Sequence, residues 1–230
     1  MPAESEFNLL GVVHLQTLPG APRPSLGIGV VRERALHDVE AMVEGGFRNI
    51  IVENFWDSPF PVDSSGPHVA ACMASILTDI RNRFGNEINI GVNVLRNDAR
   101  SALGIATSVE AGLIRVNVHV GATWTDQGLI QSEAHALLQY RRSLGFDGPS
   151  NGRLWTPGRV AIAADIMVKH GSPAGKSSLS EMAKDAVMRG GADVLIITGA
   201  STGFPAQLDD LDVVQDAVGP TPVWVGSGVQ

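Results

Sequence analysis

Short β-branched runs alternate along the chain with longer stretches of helical periodicity. The runs predict strands at Asn8–Leu15, Asn49–Asn54, Ile88–Leu95, Leu113–Val120, Val160–Lys169, Ala192–Gly199 and Thr221–Val229. Most place Val, Ile and Leu consecutively rather than alternating them with polar residues, as strands covered on both faces do. Helical patterns fill the intervals: Val30–Glu44, Val69–Phe84, Ala99–Glu110, Ser132–Leu144, Ser178–Arg189 and Asp209–Ala217. Several close on glycine just before the next strand, at Gly45-Gly46, Gly85, Gly112, Gly145 and Gly190-Gly191, where a left-handed residue can stop the helix. Regular βα alternation without a low-complexity linker predicts one α/β domain over residues 1–230, built on a parallel sheet.

Two parallel-sheet architectures fit this order, an open doubly wound sheet and a closed (βα) barrel. No GxGxxG opens the first helix, which weakens the dinucleotide-binding form of the open sheet. Polar residues collect at the C-terminal ends of nearly all the strands: His14, Glu53-Asn54, Asn93 with Arg96-Asn97-Asp98, Arg115 and Asn117, Asp165 with Lys169-His170, Thr198, and Ser227. A barrel builds its site from many strand ends, whereas an open sheet concentrates it at one switch point. The pattern favours a TIM-type barrel.

Composition narrows the function classes. Seventeen Lys and Arg against twenty-four Asp and Glu leave a formal net charge of −7, which argues against a nucleic-acid binder and a polybasic membrane binder. No apolar run approaches the ~20 residues of a membrane span, so no integral membrane segment is expected. Cys72 is the single cysteine, and the N-terminal residues carry no basic region followed by an apolar stretch. Both features predict a cytoplasmic setting.

Three segments carry candidate side-chain chemistry. In IRVNVHV, alternation puts Arg115, Asn117 and His119 on one strand face. A barrel interior cannot hold an unpaired arginine cheaply, so Arg115 is expected to meet Glu53 or Asp165, as a site or as a purely structural pair. Asn93 and Arg96 end a strand otherwise rich in Val and Ile, which favours a site role. Asp98 suits a helix N-cap as well as a site. In ADIMVKHG, Asp165 and Lys169 share a face, with His170 on the turn, suited to proton transfer or anion binding, or simply solvated.

The glycine-rich turns Thr198–Gly203 and Val225–Val229 follow the sixth and seventh strands. Such turns offer successive backbone N–H groups to a phosphate, and barrel enzymes often place a phosphate after their last two strands. Thr198, Gly199, Thr202, Gly203, Gly226, Ser227 and Gly228 are the expected phosphate-binding residues. The Pro-rich loop after His14 is expected to run over the barrel mouth. No cofactor is evident. Local metal-ligand spacing is absent, and a divalent metal would have to be assembled across strands from His14, Glu53 and Asp165.

The strings GVVHLQTLPGAP, IVENFWDSPF, GVNVLRNDARSALGIA, IRVNVHVGATWTDQG, ADIMVKHGSP, ITGASTG and VGSGV resemble the BtpA/SgcQ family, in order and over nearly the whole chain. The resemblance implies a TIM-type barrel of the ribulose-phosphate-binding type. The family's founding member is associated with photosystem I biogenesis in cyanobacteria, while similar proteins occur in archaea, non-photosynthetic bacteria and animals. Against the family pattern, Gln16-Thr17 replace a proline pair in the first loop. Residues Asp147–Arg159 look like an insertion on a surface loop. Family members also continue beyond GSGV through another helix and strand.

Together these readings predict an enzyme acting on a phosphorylated small metabolite, a sugar phosphate or ribosyl compound. Its site would comprise His14, Glu53, Asn93, Arg96, Asp98, Arg115, Asn117, Asp165 and Lys169. Glu53 or Asp165 would act as general base, and Lys169 or Arg115 would stabilise developing negative charge. The alternative is a non-catalytic assembly or stability factor. Either way the reading leaves homo-oligomerisation open. Seven strands and six helices fall short of eight units, so the barrel is expected to be truncated after the seventh strand, with a gap between its first and last strands.

Overall fold

A computed structural model describes residues 9–150, 152–199 and 206–226. Its main sheet is parallel throughout and runs in the order β1 (Leu10–His14), β2 (Asn49–Glu53), β3 (Asn89–Asn93), β4 (Leu113–Val116), β7 (Ala161–Asp165), β9 (Val194–Thr198), β10 (Val223–Gly226). These are the seven predicted strands in their predicted succession. Among the described residues β1 pairs only with β2 and β10 only with β9, so the sheet curls into a half-barrel whose end strands are not joined.

Helices α1 (Ile28–Glu44), α2 (Pro67–Phe84), α3 (Ala99–Ser108), α4 (Ala134–Ser143), α5 (Leu179–Lys184) and α6 (Leu208–Val218) connect the strands. Each overlaps its predicted counterpart, and α5 continues as a π-helical turn over Asp185–Arg189. The outward strand residues Val13, Ile50, Val52, Ile90, Val92, Ile114, Val116 and Ile162 pack against α1 to α4 in one buried cluster. Further round the sheet, Ala164, Leu195 and Ile197 pack in a second cluster with Ala183 of α5 and Val214 of α6. The opposite face forms a separate core of Leu113, Ala161, Ala163, Val194 and Ile196, backed by Leu154, Trp155 and Trp224. Apolar packing on both sides explains why these strands show runs rather than alternation.

Three local expectations change. Residues 147–159 are not simply a surface loop: Leu154 and Trp155 fold back onto the inner core. Trp155 lies so close to Gly112 that a Cβ there would stand 2.9 Å from its Cε3. Gly112 therefore serves close packing, and Glu110 takes the left-handed turn after α3, at φ 53°. The strands expected at Leu113–Val120 and Val160–Lys169 are shorter, ending at Val116 and Asp165. The chain beyond them instead contributes to a small antiparallel sheet of β5 (Ala122–Thr125), β6 (Gly128–Gln131) and β8 (Gly171–Pro173), in the order β6-β5-β8.

Candidate active site

Parallel register aligns the strand ends, so residues on the inner face finish at one level. His14 pairs in register with Glu53, and Glu53 with Asn93. Arg115 lies on β4 and Asp165 ends β7, both on that face. Arg115 joins the two carboxylates. Its Nε and Nη2 donate to Asp165 Oδ1 and Oδ2, each at 2.9 Å, and its Nη1 donates to Glu53 Oε1 at 2.8 Å. Both alternatives left open for the partner of Arg115 are thus realised together.

The network extends through amides. Asn93 Nδ2 donates to Glu53 Oε1 at 3.0 Å, and Asn117 Nδ2 donates to Asp165 Oδ2 at 2.7 Å. Glu53, Asn93, Asn117 and Asp165 are all buried. Burial pushes the Glu53 carboxyl up, but the Arg115 guanidinium, the Asn93 amide and His14 outweigh it and hold Glu53 below its ordinary value. The same carboxylates keep Arg115 firmly protonated.

His14 sits at the edge of this cluster with its Nε2 3.7 Å from Glu53 Oε2 and a side chain 42% exposed. Its ring stacks on Phe55, centroids 4.2 Å apart. Partial burial lowers its pKa, against the opposing pull of Glu53. The imidazole is therefore neutral near pH 7 and able to accept a proton.

Arg96 and Lys169 supply two further cations. Arg96 Nη2 donates to the Lys169 carbonyl at 2.5 Å, and its buried Nε has no partner. Among the described residues neither side chain forms an ion pair, in contrast to Arg115. Burial and the neighbouring Arg115 bring the Lys169 amine below its ordinary value. Lys169 lies beyond the end of β7, so its approach to the site comes from the following turn rather than from strand alternation.

Asp98 is placed differently. Its Oδ1 accepts the Ser101 N–H at 3.0 Å, capping α3, and its Oδ2 accepts the Ser65 N–H at 2.9 Å. Both oxygens serve backbone amides, the capping alternative. His119 also leaves the strand face, with its Nε2 2.7 Å from the Gly190 carbonyl. Thr198 and Gly226 are register partners on β9 and β10, which brings the described ends of the two glycine turns side by side. Thr198 Oγ1 donates to the Met167 carbonyl at 3.3 Å, and Gly199 is buried next to it. Thr202, Gly203, Ser227 and Gly228 lie outside the described residues.

Sequence reasoning overlooked Asp57. Its Oδ1 accepts the Leu18 N–H at 2.8 Å and its Oδ2 accepts from Asn54 Nδ2 at 3.0 Å. Asn54 Oδ1 in turn accepts the Leu95 N–H at 2.7 Å, so one relay ties the loops after β1, β2 and β3 together. The string ENFWD held the signal: a buried acid three residues beyond a buried amide. His14, Glu53 and Asp165 do not compose a metal-ligand set as arranged, because the Arg115 guanidinium occupies the space between the two carboxylates and both oxygens of Asp165.

The model of the BtpA family matches residues 5–230. The chain belongs to the BtpA family. It is 44% identical over 220 residues to the photosystem I biogenesis protein BtpA of Synechocystis, covering 96% of this chain and 72% of that protein. An uncharacterized protein of Pyrococcus horikoshii is 35% identical over 227 residues, covering 97% of this chain and 81% of its own length. Among solved structures, a mandelate racemase/muconate lactonizing enzyme-like protein from Rubrobacter xylanophilus superposes with TM-score 0.52 at 16% identity. That match covers 96% of this chain but only 57% of the other, and it supports the barrel-like fold alone.

Proposed function

We propose that this BtpA-family protein is an enzyme acting on a phosphorylated small metabolite, a sugar phosphate or ribosyl compound, at the C-terminal mouth of its half-barrel. The observation that carries the reading is the pair Arg96 and Lys169. Neither forms an ion pair with a described carboxylate, and both stand beside the buried Glu53–Arg115–Asp165 network. Two partly buried cations that form no ion pair, with the Asp126, Asp165 and Glu53 carboxylates acting on them only at longer range, favour an anionic ligand. The adjacent glycine turns at Thr198-Gly199 and Gly226, with Thr202, Gly203, Ser227 and Gly228, would complete the phosphate cradle. Barrel enzymes often bind a phosphate in the loops after their last two strands, and the reading rests on that analogy.

Within this reading His14 takes the proton, because its imidazole is half-exposed at the mouth, whereas Glu53 is buried and bound by Arg115 and Asn93. Glu53 and Asp165, locked by Arg115, fix the geometry, and Lys169 stabilises negative charge developing on the substrate. Thermal-shift measurements with ribose 5-phosphate and related sugar phosphates test it. A rise in melting temperature that Arg96→Gln and Lys169→Gln each reduce supports the proposal; no rise with any phosphorylated sugar or nucleotide removes it.

The name of the 44% identical Synechocystis relative favours a second reading, a non-catalytic assembly factor. Complementation separates the two. Full rescue by Asp165→Ala supports the assembly role, and loss of rescue by a folded His14→Gln variant supports catalysis.

A further inference from the structure

Lysine is rare in this chain. Fourteen arginines stand against three lysines, Lys169, Lys176 and Lys184. Lys176 and Lys184 are exposed, whereas Lys169 is half-buried at the mouth. Arg96 and Arg115 already supply fixed positive charge there. A guanidinium stays protonated in proteins, but an amine can give up its proton and attack a carbonyl carbon. The one amine at the site therefore offers chemistry that its two arginine neighbours cannot.

The backbone that carries Lys169 is held on both sides. Arg96 Nη2 donates to the Lys169 carbonyl at 2.5 Å, and Thr198 Oγ1 donates to the Met167 carbonyl at 3.3 Å. The Gly171 N–H closes a turn onto the Val168 carbonyl at 3.2 Å. Within that turn His170 is left-handed, at φ 56°, a conformation that disfavours any residue with a Cβ. Gly171 then pairs with Thr125 in the small sheet. A lysine that merely meets solvent needs no such support.

The amine stands over the concave face. Its charge acts on His14, Glu53, Arg96, Arg115 and Asp165, which come from five successive strands or the loops after them. The two carboxylates pull the amine toward its charged form, but each is already bound. Asp165 accepts from Arg115 and Asn117, and Glu53 accepts from Arg115 and Asn93. Burial, with Arg115 and Arg96, prevails and holds the amine below its ordinary value. Lys169 Nζ has no hydrogen-bond or ion-pair partner among the described residues, yet it is not one of their fully buried unpartnered atoms. The amine is therefore open to the mouth.

We propose that Lys169 is a nucleophile that forms an imine with the carbonyl carbon of a phosphorylated aldehyde or ketone. The phosphate half of that ligand rests on the function proposed above, with Arg96 and the glycine turns holding it. The neutral amine adds its lone pair to the carbonyl carbon, and the oxygen then leaves as water. Counted from the ammonium, two of its protons depart in that water and the third stays on the iminium. One C=N bond replaces one C=O bond, and nothing is oxidised or reduced. The iminium keeps the positive charge of Lys169 and draws electrons from the adjacent carbon, whose proton passes to the His14 imidazole.

Borohydride trapping on the whole protein tests this, because reduction turns the imine into a stable secondary amine that peptide mass spectrometry locates. The probes are glyceraldehyde 3-phosphate, dihydroxyacetone phosphate and ribose 5-phosphate, with glyceraldehyde as the unphosphorylated control. At least one phosphorylated probe should label Lys169 about tenfold or more over Lys176 and Lys184, which report the background. Lys169→Arg keeps the charge and should lose the adduct while retaining most of the thermal shift. Equal labelling of the three lysines, or no labelling of Lys169 by a probe that raises the melting temperature, overturns the imine and leaves the sugar-phosphate reading standing. Labelling of Lys169 by glyceraldehyde as strongly as by its 3-phosphate keeps the nucleophile and removes the phosphate site. Neither a thermal shift nor labelling of Lys169 with any probe removes both.

Discussion

Arg115 and Asp165 meet fork to fork, two parallel N–H···O bonds of 2.9 Å joining adjacent strands at the level where the inner core ends. The pair closes the apolar interior below and begins the polar mouth above. Arg115 also binds Glu53, two strands away, so one guanidinium ties β2, β4 and β7 together across the concave face.

Replacing Arg115 by Met leaves two buried carboxylates without a cation, and the expected destabilisation is about 3–5 kcal/mol at pH 7. Glu53 is held below its ordinary value of 4.5, so the stability it contributes is present above that pH. It is lost as pH falls through the folded value. The difference between wild type and Arg115→Met should therefore shrink on acidification. Urea unfolding at pH 7 and pH 4 measures it, and an equal difference at both would contradict the linkage.

His14 has the opposite charge and a lowered value. As pH falls below 6.5 the unfolded chain takes up this proton first, so this contribution declines between 6.5 and the lower folded value. Glu53→Gln removes the partner that raises His14 and should move its titration lower still. Following the imidazole C–H resonances by NMR across this range provides the check.

Asp57→Ala strands the Leu18 N–H and the Asn54 amide in a buried setting. A loss of about 1–3 kcal/mol is expected, along with faster proteolysis within residues 15–24. Equal protease resistance in the variant would show that the loop over the mouth is held by other contacts.

Trp155→Ala uncovers the lower end of the inner core and should cost about 3 kcal/mol, the low end for tryptophan truncation because the ring is half-buried. Gly112→Ala should cost stability too, since the new methyl carbon would lie 2.9 Å from the ring. Chemical denaturation of both variants reads these effects. Their double mutant should be less destabilised than the sum, because removing the ring makes room for the methyl.

Much of the site was legible because parallel strands end at one level and carry their polar residues there. His14, Glu53, Asn93, Arg115, Asn117 and Asp165 were all nameable from strand-end position, and the structure places them along one rim. Asp98 shows the limit of that reasoning. Cap and site demand the same residue type, and only the Ser65 and Ser101 amides on its two oxygens distinguish them. The small sheet is not legible for a related reason: β8 is three exposed residues whose partners lie 46 to 50 positions earlier, Thr125 for Gly171 and Thr123 for Pro173.

The alternation of apolar runs and glycine stops by itself determined the βα order, the seven parallel strands and the rim that carries the polar strand ends. Local periodicity encodes such features because each depends on near neighbours in the chain. Tertiary structure alone decided that Arg115 serves both carboxylates and that Trp155 belongs to the core. It also decided that the Asn117 amide is committed to Asp165. These depend on the curl of the sheet and on contacts 43 to 62 residues apart, which no local pattern carries.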